Sequence, residues 1–577
     1  MKIRPAILFI AFAVPGLLGT WGFQQLHPGN GWLTALYQSI GLFTLQTGVV
    51  HGTVPWPLEI ARWLAPFVTL TGLFAAANAL FQGFRDWWRL FFSRAHTIIC
   101  GAGEKGATLA SDLLSSRQKT GTIVIVERDS TVPALADLRR RGAVLVQGDA
   151  REAGILEGAR VSRAAKIVCA AGDDGTNLAI AMQAAKLAPV KRSGHLLCIY
   201  AQVADETHRD VLQRHRAFEL DSRTRHRIRL FNDLRNQART ILKACPLEVD
   251  NAGEVADEVH LVVPGAGALP RAVLLHAGRV GHYRDGGKVT VHIVAEAAAQ
   301  EYRHVLKDYP QFEKCAGLVA HVLEANSDFT TQTAGIIAAL PAGAFTSVFL
   351  SGHDEHEALA EALILREHLP RNERFRVLLA AAEGSVVHDI VSHSAQHSGS
   401  PLSRWIRFIP THRQACGREA VFEESLDRVA RRIHEVWYAE TSNAIREVEQ
   451  AEAEKLASKP TYRRWEELSE EQKDANRFAA DHVEIKIRAI GLDPSRQQEW
   501  SDAWGRLSEQ ELELLSRMEH ERWCALKWLA GWQKGPRDEA RRFHDNLVPY
   551  DDLDEMTKDY DRTQAQKAVE YLKVDMS

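Results

Sequence analysis

The stretch His96-Thr97-Ile98-Ile99-Cys100-Gly101-Ala102-Gly103-Glu104-Lys105-Gly106 decides how the 577-residue chain is read. A short β-branched run enters Gly101-x-Gly103-x-x-Gly106 and leaves it in a helical pattern. In a strand-turn-helix unit of this kind the first glycine permits the tight turn, the second lets backbone approach a pyrophosphate, and the third lets helix pack on strand. A phosphate would then meet the amides at the helix N-terminus. The next β-branched run, residues 122–126, ends in Glu127, 21 positions beyond Gly106, where a carboxylate can accept from ribose hydroxyls. Gly101, Gly103, Glu104, Lys105, Gly106, Glu127 and Arg128 are therefore candidate nucleotide-binding residues.

Downstream, strand-like runs keep alternating with helical patterns, which predicts βαβ units and a parallel sheet. Residues 143–146 lead into Gly148-Asp149-Ala150, and residues 166–170 into Gly172-Asp173-Asp174-Gly175-Thr176-Asn177. Two more strands, at 196–200 and near Phe218, would complete the sheet. Asp149 falls at a strand end, where ligands collect in such sheets, and joins Asp173 among the candidates. Helix capping is the simplest role for Asp173 and Asp174. With the glycine turn, Gly-Asp-Ala and Gly-Asp-Asp-x-x-Asn in this order, residues 96–250 resemble the RCK domain, also called TrkA-N. This family regulates conductance in bacterial potassium channels and transporters. The resemblance implies a Rossmann-like fold, pairing of domains between subunits, and a bound nucleotide or dinucleotide, either NAD(H) or an adenine nucleotide.

Residues 251–415 repeat the order. The run Val259-His-Leu-Val-Val263 enters Gly265-Ala-Gly267-Ala-Leu-Pro270, and further strands are expected at 289–294, 318–323, 347–350, 376–379 and 406–409. This segment resembles a second RCK domain, a duplication of fold rather than of letters. Pro270 stands where the first copy has its third glycine, which alters the helix start. The cluster His353-Asp354-Glu355-His356 reads as a helix start and not as a metal site, and no metal is expected elsewhere.

Upstream of the glycine turn, no Asp, Glu, Lys or Arg occurs between Pro5 and Leu58, and a second uncharged run covers residues 63–84. Apolar segments near the length of a membrane helix lie within these runs, so spans are expected at 3–23 and 63–84 within a membrane module of residues 1–95. Lys2 and Arg4 before the first run, and Arg85, Arg89 and Arg94 after the second, put both ends and all that follows in the cytoplasm, beneath the inner (plasma) membrane. The intervening residues 32–43 have helical spacing, and Thr44-Leu45-Gln46-Thr47-Gly48-Val49 follow. This layout resembles the two-helix, re-entrant-loop pore of potassium channels. The resemblance implies a homotetramer, monovalent cations as the permeating species, and a filter at Thr44 to Val49, although the family's second glycine and aromatic are absent. An anchoring hairpin that does not conduct is the alternative.

Residues 416–460 read as a helical connector, with helices expected at 421–438 and 441–456, and Lys459-Pro460 marks a boundary. From 461 to 577 the chain is rich in charge and tryptophan. Glu521-Arg522-Trp523, Gly531-Trp532, His544-x-x-Leu547-Val548-Pro549-Tyr550 and Asp561-Arg562 resemble the RyR domain, a helical repeat of ryanodine receptors. The resemblance implies a compact all-α domain with a ligand or partner role. Arg522, Trp523, Trp532, Tyr550 and Arg562 are its candidate pocket, against the simpler reading of the tryptophans as core. His482 and His520 read as structural.

A net charge of −4 gives no reason to expect nucleic acid. The seven cysteines are scattered, with no C-x-x-C pair, which fits reduced thiols. No general acid or base stands where a hydride-transfer substrate would sit, so no catalytic residue is expected and the chain is not read as an enzyme. These features favour a ligand-gated, potassium-channel-like protein in which RCK and RyR-like domains sense a small nucleotide signal. The alternative is a membrane-anchored nucleotide sensor.

Overall fold

Runs such as Ile98-Ile99-Cys100 and Val124-Ile125-Val126 are apolar at every position because helices cover both faces of the sheet they form. The computed structural model describes every residue except 1–4, 47–52, 117–120, 189–195, 214–225, 325–328, 342, 352–354, 370–373, 382–404 and 575–577. The chain divides into two units, Met1–Ser93 and Arg94–Ser577.

In the second unit, strands β1 (His96–Cys100), β2 (Ile123–Glu127), β3 (Val144–Gln147), β4 (Ala164–Cys169), β5 (Leu197–Gln202) and β6 (His226–Phe231) form a six-stranded sheet. All pairs are parallel, in the order β3-β2-β1-β4-β5-β6. The sixth described strand is His226–Phe231, while the strand expected near Phe218 lies outside the described residues. The order reverses beside β1, so the crevice at the carboxyl ends of β1 and β4 is where such a sheet takes a ligand.

The chain then forms β7 (Val259–Pro264), the small hairpin of β8 (His282–Tyr283) and β9 (Gly287–Lys288), β10 (Thr290–Ala295), β11 (Gly317–Val322), β12 (Phe345–Leu350), β13 (Phe375–Ala381) and β14 (Ile406–Pro410). The large sheet runs β11-β10-β7-β12-β13-β14, which is the order of the first sheet with all strands again parallel. The duplication of fold inferred from pattern is present strand for strand.

Helix Asp233–Ala244, which follows β6, packs against helix Ala268–Val280 of the second sheet and against the short helix His412–Cys416. The connector breaks at Val448-Glu449, between helices Arg428–Glu447 and Gln450–Ala457. Helix Glu470–Ala489 opens with a full capping box at Ser469 and Gln472, and helix Glu509–Leu529 with one at Ser508 and Glu511. Helix Glu555–Lys567 packs on the latter, and the strand pair Gln533–Lys534 with Phe543–His544 means that this segment is not all-α as expected.

A buried ionic cluster joins these parts. Arg239 donates to Asp427 (2.7 Å), Asp481 (2.8 Å) and the Leu426 carbonyl (2.9 Å). Arg235 pairs with Asp474, and Arg279 with Glu206. Because an unpaired buried charge is costly, these pairs fix how the elements meet more than they add net stability.

The first unit is a helical hairpin, Pro5–Leu26 and Trp56–Phe92, with helix Trp32–Gly41 and the 3-10 turn Leu42–Thr44 between. Gly19 and Gly22 bring it together, since a Cβ on Gly22 would lie 2.5 Å from Leu58 and one on Gly19 2.4 Å from the Ser39 hydroxyl. Its core is small: Phe23, Ala35, Leu42, Leu58, Ala61 and Ala65. Outside it, Leu17, Trp21, Trp63, Phe67, Leu70 and Phe74 are exposed. Among the described residues no helix is long and apolar enough to cross a membrane. The two expected spans are thus present as helices but unsupported as spans. The second helix also runs seven residues earlier and eight later than expected, taking in Glu59, Arg62, Asp86 and Arg89.

Candidate functional site

The three glycines of the turn have three different reasons to be glycine. Gly101 has φ of 99°, and a Cβ there would lie 2.5 Å from the Ala170 carbonyl at the end of β4. A Cβ on Gly106 would lie 2.0 Å from the Gly101 carbonyl, so the helix Glu104–Ser115 rests directly on the turn. Gly103, the residue before the helix, has nothing within 4 Å of its would-be Cβ. It leaves an open, exposed approach to the amides of the first helical turn, the place for a phosphate.

Glu127 closes on this turn. Its Oε2 accepts from the Ala102 amide at 2.6 Å and its Oε1 from the Asp129 amide at 3.0 Å. Arg128 follows it, exposed. The structure thus brings Gly101, Gly103, Gly106 and Glu127 together.

The remaining candidates are partly engaged elsewhere. Asp149 accepts from the Arg151 amide and guanidinium, which hold its carboxyl down to about 2. Asp173 caps helix Asp174–Leu187 by accepting from the Thr176 hydroxyl and amide, bonds that lower its pKa. Asp174 accepts from the Ala204 and Asp205 amides. Glu104 lies 2.8 Å from the His412 ring, the main reason its pKa is lowered.

Lys105 reaches Asp233 at 3.1 Å, and here the structure adds residues that the sequence reading did not single out. Asp233 also accepts from Gln202 at 2.9 Å, Gln202 accepts from Asn177 at 2.9 Å, and Asn177 accepts from the Ala171 amide at 2.7 Å. A polar relay therefore runs behind the carboxyl ends of β4, β5 and β6. Asn177 lay inside a quoted motif. Gln202 and Asp233 carry no local signal, because their partners are distant in sequence.

In the second sheet, Gly265 (φ 86°) and Gly267 (φ 156°) form the equivalent turn, and helix Ala268–Val280 starts directly after it. Pro270 sits in the first helical turn, where a missing amide costs nothing. Glu296, the counterpart of Glu127, is exposed, and Arg271 is paired with Glu301 at 2.6 Å. The cluster at His353 and Asp354 lies outside the described residues, and a helix begins at Glu355.

The RyR-like pocket is mostly core. Trp532 and Tyr550 are buried, and Lys527 lies over the Trp532 ring at 3.8 Å. Arg522 is buried against Glu519 (2.7 Å), and Arg562 is held by Asp559 (2.6 Å), Glu513 (3.0 Å) and Glu555 (3.1 Å). Each guanidinium is met by carboxylates, although Nη1 of Arg522 has no hydrogen-bond partner among the described residues. Trp523 alone among the five is half-exposed without such a clamp. Burial disfavours the charged ring of His520, but its bonds to Asp561 and Cys524 outweigh this and raise it to about 10.

At the expected filter, Thr44 donates to the Gly41 carbonyl at 3.0 Å, Leu45 adopts φ of 61° and the Gln46 amide returns to Gly41 at 3.0 Å. This ends the short helix in a cap. Thr47, Gly48 and Val49 lie outside the described residues.

Residues 97–220 match the TrkA-N domain family and residues 506–574 the RyR domain family. An uncharacterized protein of Methanothermus fervidus is 32% identical over 94 residues, 16% of this chain, and the match spans only 14% of that relative's length. Among solved structures, the GsuK bound to ADP covers 73% of this chain and 97% of its own at 16% identity and a TM-score of 0.37. The GsuK RCK domain covers 59% of this chain and 79% of its own at 12% identity and a TM-score of 0.38. The glycine turn therefore lies in a TrkA-N domain, and the C-terminal helices include an RyR domain.

Proposed function

We propose that this chain is a ligand-gated ion channel, potassium-channel-like, in which a nucleotide held at the glycine turn controls a membrane pore. The observation that carries the nucleotide half is the turn itself: Gly103 open to solvent between Gly101 and Gly106, which backbone contacts oblige to be glycine, with Glu127 closing over Ala102. NAD(H) and adenine nucleotides are the ligand classes, since a ribose would share the Glu127 carboxylate and a phosphate the helix amides. The domain acts by binding. Glu127, Asp149 and Asp173 each already accept from a backbone amide, which suits a ligand cradle better than proton transfer.

The pore half rests on the first unit. A helical hairpin whose large apolar side chains face outward, with a short helix between its arms, suits a bilayer and further copies of itself. In this reading four chains surround a path for monovalent cations, the filter is Thr44 to Val49, and both ends of the hairpin and all later domains lie on the cytoplasmic side of the inner membrane.

The test is flux of K⁺ and Na⁺ through liposomes containing the purified chain, with and without ADP or NADH. Nucleotide-dependent flux that Gly48→Ala abolishes is expected. Flux unaltered by Gly48→Ala removes the filter assignment, and no flux alongside measurable nucleotide binding leaves a membrane-anchored sensor instead.

A further inference from the structure

Lys105 is the second residue of the helix that starts at the glycine turn, one position from the amides where a phosphate would sit. Its ammonium is instead held by Asp233 at 3.1 Å. Asp233 is fully buried, and while its Oδ1 also accepts from Gln202, its Oδ2 has no hydrogen-bond partner among the described residues. Asp233 is thus a buried carboxylate with incomplete compensation, for which the Lys105 ammonium is the neighbouring cation.

Asp233 also begins helix Asp233–Ala244. Two and six residues along are Arg235 and Arg239, bound to Asp474 in one case and to Asp427 and Asp481 in the other. These acids lie on or beside the helices that lead into the RyR domain. The same helix packs on Ala268–Val280 of the second sheet. A change felt at Asp233 therefore reaches three parts of the chain through one rigid element.

We propose that Lys105 is a cation shared between Asp233 and the phosphate of the bound nucleotide, so that occupancy of the turn loosens Asp233 and reports itself through helix Asp233–Ala244. This rests on the nucleotide reading above and adds its regulation. The phosphate and Asp233 compete for one charge, so each weakens the other's hold on Lys105, and the coupling is reciprocal. Adenosine, which lacks phosphate, does not enter the competition.

The experiment measures ADP and adenosine binding to the purified full chain by calorimetry, with hydrogen exchange of residues 233–244 as a second readout. Asp233→Asn is expected to bind ADP about fivefold tighter or more, with adenosine affinity unchanged. Lys105→Met is expected to lose much of the affinity advantage of ADP over adenosine and to lose the ADP-induced change in exchange at 233–244, which tests the relay even where Asp233→Asn folds poorly. Weaker or unaltered ADP binding in Asp233→Asn, or an equal change for adenosine, overturns the proposal. Wild-type chain that binds neither ADP nor NADH overturns the nucleotide reading and this inference with it, whereas wild-type binding with an indifferent Asp233→Asn removes only the relay.

Discussion

Glu127 Oε2 accepts a 2.6 Å hydrogen bond from the amide of Ala102, so the acid at the tip of β2 is tied to the middle of the glycine turn. Two amides, Ala102 and Asp129, converge on this one carboxylate. A glutamine has one acceptor oxygen and would turn an NH₂ group toward one of those amides. Glu127→Gln is therefore expected to weaken ADP and NADH binding about tenfold, or about 1.4 kcal/mol, while the melting temperature moves little. Calorimetry beside thermal unfolding separates the two, and unchanged affinity would remove Glu127 from the site.

Gly103 and Gly106 stand three positions apart and should differ in what a substitution does to stability. An alanine at Gly106 meets the Gly101 carbonyl at 2.0 Å and must push helix from strand, at a cost of about 2 kcal/mol or more. An alanine at Gly103 meets nothing, and its φ of −62° suits any residue. Gly103→Ala should keep full stability in urea unfolding yet lose nucleotide affinity, because its methyl occupies the phosphate approach. Gly106→Ala should lose both.

Much of this was legible because the relevant signals are local. Eleven of the twelve strands of the two large sheets sit within a few residues of the β-branched runs that announce them, and the turn geometry follows from three letters. The exception is the sixth strand: His226-Arg-Ile-Arg-Leu-Phe231 alternates charge with apolar residues and so lacks the continuous β-branched run that marks the others. The Arg235–Asp474 and Lys105–Asp233 pairs join residues more than a hundred positions apart and left no trace in any window of sequence. Arg522 and Arg562 look like phosphate ligands as letters, but Glu519, Glu513 and Asp559 had already claimed them.

Arg239 satisfies two carboxylates at once, those of buried Asp427 and half-buried Asp481, and a carbonyl. Arg239→Met keeps the stem and removes the bonds to all three partners, leaving Asp427 with Arg477 alone. Breaking one side of such a cluster costs about 3–5 kcal/mol. Chemical denaturation should show this loss, and limited proteolysis should cut first near residues 423–427. A loss below about 1 kcal/mol would mean that the pair is open to solvent.

Acid should undo the same cluster. Burial alone would raise the carboxyls of Glu206, Asp427 and Glu470, but neighbouring Arg279, Arg239 and Arg477 outweigh it and bring each to about 2. Their folded values lie below the unfolded value of about 4. Their contribution is thus complete above pH 4 and is lost as pH falls from about 4 toward 2. Unfolding followed across this range should show a steep fall in stability that Arg239→Met, already lacking one partner, shows less.

Three imidazoles lie in series across the second sheet: His260 Nδ1 is 2.8 Å from His292 Nε2, and His292 Nδ1 is 2.9 Å from His321 Nε2. They stand on β7, β10 and β11, each two residues further along than the last, and Glu258 meets the far nitrogen of His260 at 3.1 Å. Burial, with His260 and His321 beside it, pushes His292 down to about 4, so the middle ring is neutral at pH 7 and both its nitrogens are used. His292→Leu fills the space but strands one nitrogen on each neighbour, a cost of about 1–3 kcal/mol for each that stays buried. His321 is on the edge strand β11 and half-exposed, so it can turn to water, whereas buried His260 cannot. The loss should therefore fall near the lower end of that range and appear first as faster amide exchange along Gly317–Val322. Exchange that accelerates equally in β12 and β13 would show instead that His292 supports the whole sheet and not its edge.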